Sequence, residues 1–216
     1  MRILKRQQVI RLLPFAFGSL CWGVGTPAYA DVACTPTVPL AEQHRTAMKQ
    51  RVPPPGLPVQ AATIADMLSW PLPEGMTRKK RKIDSVMDPR EGKAYVVEAV
   101  IWRVKLSEDD CDFHLEIGPP GSGRDDERAI IEIPQGQAFL QAREALIAGL
   151  PKAGELKPKQ ALPLQKPVPV RITGYAFCDL QHYTPKDLKR GTGHGGKRVA
   201  TLWEIHPVWK IEFLKK

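Results

Sequence analysis

The sequence lacks several features by which function is commonly recognised. It has neither the HExxH spacing of a zinc protease nor a P-loop, and no Ser–His–Asp or Cys–His constellation can be traced in it. The apolar run Leu12–Val24 is too short to span a bilayer securely, and it contains Pro14. Cysteine is scarce, with 4 residues in 216. No reaction class therefore follows from a motif alone.

The first 30 residues have the three parts of a secretory signal peptide. Basic residues from Arg2 to Arg11 precede the apolar run, and the small-x-small sequence Ala28–Ala30 precedes Asp31. We predict that residues 1–30 are removed, that no transmembrane segment remains, and that the protein is exported to the periplasm or secreted. The alternative is an uncleaved membrane anchor. Removal takes four basic residues and no acidic one, so the formal net charge falls from +9 to +5, which does not by itself demand a polyanionic partner.

Three cysteines remain after the signal peptide, namely Cys34, Cys111 and Cys178. An oxidising compartment favours one disulfide among them. Because Cys111 and Cys178 both lie at ends of predicted strands, we predict that these two are paired. Pairing of Cys34 with either of the others would instead attach the N-terminal segment to the core, and the sequence leaves these alternatives open.

Residues 31–92 are predicted to be a proline-rich and basic extension with short helices. Helical spacing predicts helices within Leu40–Arg51 and Ala61–Trp70. The run Pro53–Pro58 between them forces an extended chain. The five consecutive cations Arg78–Lys82 indicate either a patch for an anionic partner or a solvated connector.

Residues 93–216 show the alternation of a β domain. Val, Ile, Trp and Phe recur at every second position in the first and last strand-like segments, which is typical of strands with one buried face. The domain is predicted to contain five strands. They are Lys93–Leu106, Cys111–Ile117, Arg128–Ile133, Val168–Cys178 and Arg198–Phe213.

One helix interrupts the run of strands. Ala138–Leu150 has apolar residues at spacings of three and four and ends at Gly149 and Pro151. The Pro- and Lys-rich stretch Lys152–Lys166 is predicted to be a mobile loop. The stretch Gln181–Lys197 is predicted to be a long basic loop, and its glycines do not form a phosphate site because no helix follows them.

The order of three strands, one helix and two strands resembles the OB fold. The predicted fold class is mainly β: a five-stranded OB-like Greek-key barrel with one helix between its third and fourth strands, preceded by the extension. Four segments also resemble a set of small exported bacterial proteins of unassigned activity, and this likeness implies no reaction. They are DFH (Asp112–His114), IEIP (Ile131–Pro134), GYAFCDLQH (Gly174–His182) and WEIHPV (Trp203–Val208).

The resemblance to the OB fold implies a ligand face on the outside of the barrel, around the second and third strands. The loop before the second strand is acidic and the basic loop 186–198 precedes the fifth, so one wall of this face would repel phosphates and the other attract them. We expect its lining to be Asp112, His114, Glu116, Tyr175, Asp179, His182, His194, Glu204 and His206.

Four of the five histidines lie in or beside the predicted barrel. Carboxylate and imidazole together suit Zn²⁺ or Mn²⁺. We predict no cofactor, with a divalent metal as the alternative, and the simplest interpretation of these side chains is that they hold strand ends and loops in place. The candidate metal ligands are His114, His182, His206 and Asp179.

Three functions from different classes remain compatible with the sequence. We favour a non-catalytic OB-fold binding module for an anionic polymer, a nucleic acid or a saccharide, guided by the basic loop 186–198 and Arg78–Lys82. The second is a metal-dependent hydrolase that uses the same carboxylates and histidines, with no catalytic residue assigned. The third is a structural or protein-interaction adaptor that works through residues 31–92.

Overall fold

Alternating side chains in long strands divide this protein into an apolar interior and a polar outer face. The computed structural model describes residues 31–74, 83–183 and 198–215. Short 3₁₀ helices lie at Leu40–Glu42, Gln137–Phe139, Pro151–Glu155 and Leu180–His182. The α-helices and strands are α1 (Thr46–Lys49), β1 (Val59–Ala62), α2 (Ile64–Ser69), β2 (Ala94–Leu106), β3 (Phe113–Gly118), β4 (Arg128–Ile133), α3 (Leu140–Gly149), β5 (Ala161–Cys178) and β6 (Val199–Phe213).

Five of the strands close into a barrel. The hydrogen-bonded order is β2, β3, β4, β6, β5, and β5 pairs back with β2. β4 and β6 run parallel, whereas the other barrel neighbours are antiparallel. Because α3 lies between β4 and β5, the third and fourth barrel strands, the predicted OB-like Greek-key barrel is confirmed. β1 adds a short parallel strand to β2.

The interior follows from the period-2 pattern of the strands. Phe113, Leu115 and Ile117 of β3 are fully buried in the core, and the residues between them face outward. Burying one such side chain contributes roughly 1.5–3 kcal/mol, which makes this interior the main source of stability. α2 adds its buried side to the same core, and its first turn is fixed by a capping box between Thr63 and Asp66.

The segment before β5 differs from the prediction. Lys152–Lys166 was expected to be a mobile loop, but Ala161–Lys166 belongs to β5, and Ala161 to Pro163 pair with the last residues of β2. The prediction is wrong there because the prolines, which cannot donate a backbone hydrogen bond, argued against a strand in this segment. The strand forms because the long β2 provides a pairing partner, which the local sequence of this segment does not indicate.

An N-terminal arm, residues 31–52, crosses the outside of the barrel. It is fixed near its start by backbone hydrogen bonds from Thr37 and Val38 to the loop between β2 and β3. Farther along, Arg45 makes two hydrogen bonds to the Glu91 carboxylate, at 2.6 and 3.0 Å, and both side chains are fully buried. The outer face beneath the arm is therefore enclosed.

The predicted disulfide Cys111–Cys178 is wrong. Cys34 of the arm is bonded to Cys111, with 5.8 Å between their Cα atoms, and Cys178 is a buried thiol. Cys178 ends β5 opposite Trp203 of β6, and β5 is not a neighbour of β3, which follows Cys111. The disulfide therefore joins the arm to the barrel, as the alternative pairing implied.

Candidate functional site

Charged side chains from three barrel segments meet beneath the arm. Asp112 directly precedes β3, Glu132 lies in β4, and Glu204 and His206 lie in β6. Each alternates with residues of the apolar core, such as Ile205, and therefore points to the outside of the barrel. β4 and β6 are parallel neighbours, which brings Glu132 beside His206.

The closest of these side chains form what we call the acid–histidine cluster: Asp112, Glu132 and His206. Oε2 of Glu132 lies 2.9 Å from Nδ1 of His206, and Oδ2 of Asp112 lies 3.3 Å from Nε2 of the same ring. One oxygen or nitrogen from each residue falls within 4.8 Å of the others, an arrangement found once among the described residues. The three residues are 1, 8 and 0 % exposed, respectively, so the cluster is enclosed.

The short contacts in the cluster are not aligned hydrogen bonds. Within the described part of the chain, both ring nitrogens of His206 and Oδ2 of Asp112 lack a partner in a hydrogen-bonding direction. The other oxygen of Asp112 accepts a hydrogen bond from the backbone N–H of Gln135 at 3.0 Å. Buried polar atoms without aligned partners are costly, and here they coincide with the convergence of three potential metal ligands, which makes this place a candidate ion site.

Two further side chains contact Glu132. Nδ1 of His114 lies 2.7 Å from Oε1, in hydrogen-bond range, and Nζ of Lys49 lies 3.7 Å from Oε2. Lys49 comes from α1 of the arm and also lies 3.5 Å from Oδ2 of Asp110. The arm thus places the ammonium group of Lys49 beside carboxylates on the outer face of the barrel.

Burial and neighbouring charges shift the pKa values of the cluster in different directions. Burial lowers the pKa of His206, but the Glu132 carboxylate and the other acidic contacts outweigh it and hold that pKa well above its ordinary value. Burial raises the pKa of Glu132, but the charges of Lys49 and His206 outweigh it and hold that pKa well below the ordinary value. Burial is the main cause of the raised pKa of Asp112.

The shifted pKa of Lys49 has the same physical origin. Burial alone would lower it, but the carboxylates around the ammonium group, with Glu132 first, raise it above its ordinary value. Without a bound metal, Lys49 and protonated His206 therefore balance part of the negative charge of the cluster.

Asp179 forms a separate group with two histidines. Its Oδ1 lies 3.5 Å from Nε2 of His44, and its Oδ2 lies 3.4 Å from Nε2 of His182. Oδ1 also accepts the backbone N–H of Gln181 and so caps the short 3₁₀ helix that follows β5. Asp179 and His182, both candidate metal ligands in the sequence, are thus part of this capping group rather than of the acid–histidine cluster.

Glu116 lies on the same outer face as the cluster but has different partners, which we call the arginine network. Its two oxygens lie 2.9 Å from Nη1 of Arg103 and 2.6 Å from Nη1 of Arg128. Arg128 also donates to the carbonyl oxygen of Arg124 at 2.6 Å and lies over the ring of Trp102. Both oxygens of Glu116 are therefore already paired with cations.

Aromatic rings of β5 complete the surface beneath the arm. Phe177 lies 5.3 Å from the ring of His206, and the guanidinium group of Arg45 lies 4.8 Å from its centre. Tyr175 contacts Trp209 edge-on and is covered by Arg51 at 4.0 Å. Cationic groups of the arm thus lie on these aromatic faces.

The predicted ligand face is divided in the structure. Asp112, His114, Glu204 and His206 come together, whereas Glu116, Tyr175, and the pair Asp179 and His182 belong to the other groups described above. His194, Arg78–Lys82 and residues 186–197 of the basic loop lie outside the described residues.

Sequence reasoning missed two members of the site. Glu132 carried a signal, because it stands between Ile131 and Ile133 in a predicted strand and must therefore point away from the core. Lys49 carried none, because only the path of the arm across the barrel brings it to Glu132.

No protein-family model, no curated protein and no solved structure matches the chain. Among residues 31–74, 83–183 and 198–215, no helix is long and apolar enough to cross a membrane. A proposal for the function of this protein therefore rests on its fold class, an OB-like barrel with an N-terminal arm, and on the geometry of the site.

Proposed function

We propose that this protein is an exported, non-catalytic binding module that holds a divalent metal ion at the acid–histidine cluster. The observation that supports the proposal is the convergence of one ligand atom each from Asp112, Glu132 and His206 within 4.8 Å. Export is supported by the sequence of residues 1–30 and by the disulfide between Cys34 and Cys111, a bond typical of oxidising compartments.

The charges around the cluster favour a cation. In the part of the chain that the structure describes, Asp110, Asp112, Glu132 and Glu204 make ion contacts with Lys49, His114 and His206. Two carboxylates and one imidazole suit Zn²⁺ or Mn²⁺. A metal would use the unaligned Oδ2 of Asp112 and one of the two ring nitrogens of His206, and that nitrogen must first release its proton.

The enclosure of the site favours an ion over the larger ligands expected from the sequence. Asp112 and His206 are 1 and 0 % exposed beneath the arm, so a nucleic acid or a saccharide could reach them only if the arm moved. The same enclosure supports binding rather than hydrolysis, because a catalytic metal needs a coordination position that the substrate can reach. The packing of residues 31–52 against the barrel likewise favours binding over an adaptor role for the arm.

Metal titration of the protein tests the proposal. We expect Zn²⁺ or Mn²⁺, measured by chelator competition after removal of metal, to bind one site per chain. Asp112→Asn, Glu132→Gln and His206→Gln should each weaken binding by roughly tenfold or more, because each replaces a charged carboxylate or an imidazole with a weaker amide ligand.

Glu116→Gln is the matched control, because it neutralises a buried carboxylate of the same outer face that lies in the arginine network. It should leave the metal affinity unchanged. Equal affinity in the wild type and all three cluster variants would show that any metal binds elsewhere.

A further inference from the structure

We infer that Lys49 is a tethered competitor for the metal site: its ammonium group occupies the negative face of the cluster, and a divalent ion binds only as that group withdraws. The inference rests on the proposed function and adds the residue that sets the affinity of the site. Nζ of Lys49 lies 3.7 Å from Oε2 of Glu132, the same oxygen that lies 2.9 Å from Nδ1 of His206. An ammonium group and a metal ion would therefore meet at one oxygen.

The geometry of Lys49 differs from that of a built structural ion pair. Arg45, four residues earlier in the arm, contacts Glu91 through two hydrogen bonds at 2.6 and 3.0 Å. Lys49 has longer contacts, at 3.5 Å to Asp110 and 3.7 Å to Glu132. A group held by such long contacts, on a flexible four-carbon chain, is easier to displace than the paired guanidinium group of Arg45.

The arm has anchors on both sides of Lys49 that do not involve the Lys49 side chain. The backbone N–H groups of Ala47 and Met48 donate to the carboxylate of Asp84, at 2.8 and 3.1 Å. On the other side of Lys49, Arg51 donates to the carbonyl oxygen of Glu91 at 2.6 Å. Release of the site therefore requires rotation of one side chain rather than opening of the arm.

Substitution of a competing positive charge should change the metal affinity in the direction opposite to substitution of a ligand. A metal ion beside the ammonium group is repelled, so removal of the charge should raise the affinity for Zn²⁺ by roughly tenfold or more. Removal of a ligand or of a supporting residue would lower it. The sign of the change thus separates a competitor from a positioning residue.

The test compares Zn²⁺ affinity in the full chain with its disulfide intact, by competition with a chromophoric chelator at constant pH. Lys49→Met keeps the length of the side chain and removes its charge, and Lys49→Gln is a second neutral variant in case the first does not fold. Lys49→Arg keeps the charge, and its Zn²⁺ affinity should rise less than that of either neutral variant. Lys210→Met is the matched control, because it removes a lysine of an exposed pair with Glu212.

Tighter binding in the neutral Lys49 variants, with Lys210→Met unchanged, is the expected result. Unchanged or weaker binding in both folded neutral variants overturns the inference while the wild-type affinity still tests the proposed function.

If neither the wild type nor the Lys49 variants bind more Zn²⁺ than Asp112→Asn, the proposed function fails together with the inference. If only the Lys49 variants bind, and adding Asp112→Asn abolishes it, the competitor role holds and the wild type is not a metal carrier.

Discussion

Buried carboxylates on the same outer face belong to two groups of side chains, and their surroundings satisfy them differently. In the arginine network, each oxygen of Glu116 faces a guanidinium nitrogen, at 2.9 and 2.6 Å. In the acid–histidine cluster, Asp112 and Glu132 share the ring of His206 through contacts that are not aligned. Glu116 and Asp112 are 3 and 1 % exposed, so burial does not distinguish the two groups.

The difference lies in the number and direction of the donors. A guanidinium group presents several N–H groups in a planar fork and can satisfy a carboxylate fully. In the cluster, His114 and the backbone N–H of Gln135 each contact one oxygen, of Glu132 and Asp112 respectively. The other oxygens of these two carboxylates share the single imidazole of His206, and Lys49 assists only at 3.5–3.7 Å. This difference agrees with a structural role for the arginine network and with the proposed ion site at the acid–histidine cluster.

Removal of a partner from the arginine network should give the largest loss of stability. Arg128→Met leaves the buried Glu116 with only one arginine, and breaking a buried pair in this way costs about 3–5 kcal/mol. Urea unfolding measures the change. Because the network lies outside the proposed metal site, the loss should be the same with and without Zn²⁺.

Arg171→Met is the control for this prediction. Arg171 forms an exposed pair with Glu98, and its removal should not measurably change the urea midpoint. A loss below about 1 kcal/mol for Arg128→Met would mean that the comparison between the two groups does not rest on donor satisfaction.

Removal of the disulfide should have the next largest effect. Cys34 and Cys111 are 77 residues apart, and a bond that closes such a loop stabilises a protein by about 2–4 kcal/mol. The double variant with serine at both positions should lose this amount in urea unfolding. It should also weaken metal binding, because Cys111 directly precedes Asp112.

Cys178→Ala keeps the disulfide and serves as the control for metal binding, which it should leave unchanged. If the double serine variant unfolds at the wild-type urea concentration, the arm is held by its other contacts and not by this bond.

The pH dependence of stability should give the smallest effect. Near neutral pH we expect it to come from the cluster, because the burial that raises the pKa of the Cys178 thiol affects stability only at more alkaline pH. The pKa of His206 is held above its unfolded value of 6.5, so its contribution is complete below about pH 6.5 and is lost as the pH rises through the folded pKa. Glu132 behaves in the opposite way: its lowered pKa gives a contribution that is present above about pH 4.5 and lost in acid.

Unfolding of the metal-free protein between pH 6 and 9 measures this effect. In the wild type, the free energy of unfolding should decline as the pH rises. His206→Gln should remove this decline, whereas Arg128→Met should keep it, because arginine stays charged throughout this range. An unchanged decline in His206→Gln would assign it to another group.

The barrel could be predicted from sequence because its signals are local. Arg128–Ile133 has apolar residues at alternate positions and ends before Pro134, and β4 has these bounds. Ala138–Leu150 likewise contains the whole of α3. In contrast, β1 was missed because four residues after Pro58 form a strand only where β2 supplies a neighbour.

The candidate site could be predicted only for its barrel half. Alternation assigned Asp112, His114, Glu204 and His206 to outward positions, and these side chains do meet. The arm half depends on contacts between distant parts of the chain. Nothing near Lys49 in the sequence indicates that it lies against a carboxylate of β4.

The bond between Cys34 and Cys111 has a practical consequence for anyone who isolates this protein. Chains recovered from a reducing host cytoplasm should lack the link beside Asp112, so the amount of zinc at the proposed site should vary with the fraction of oxidised molecules. Two batches of equal purity could thus differ in occupancy, and a count of accessible thiols would explain the discrepancy. Oxidative refolding or periplasmic expression should make the batches agree.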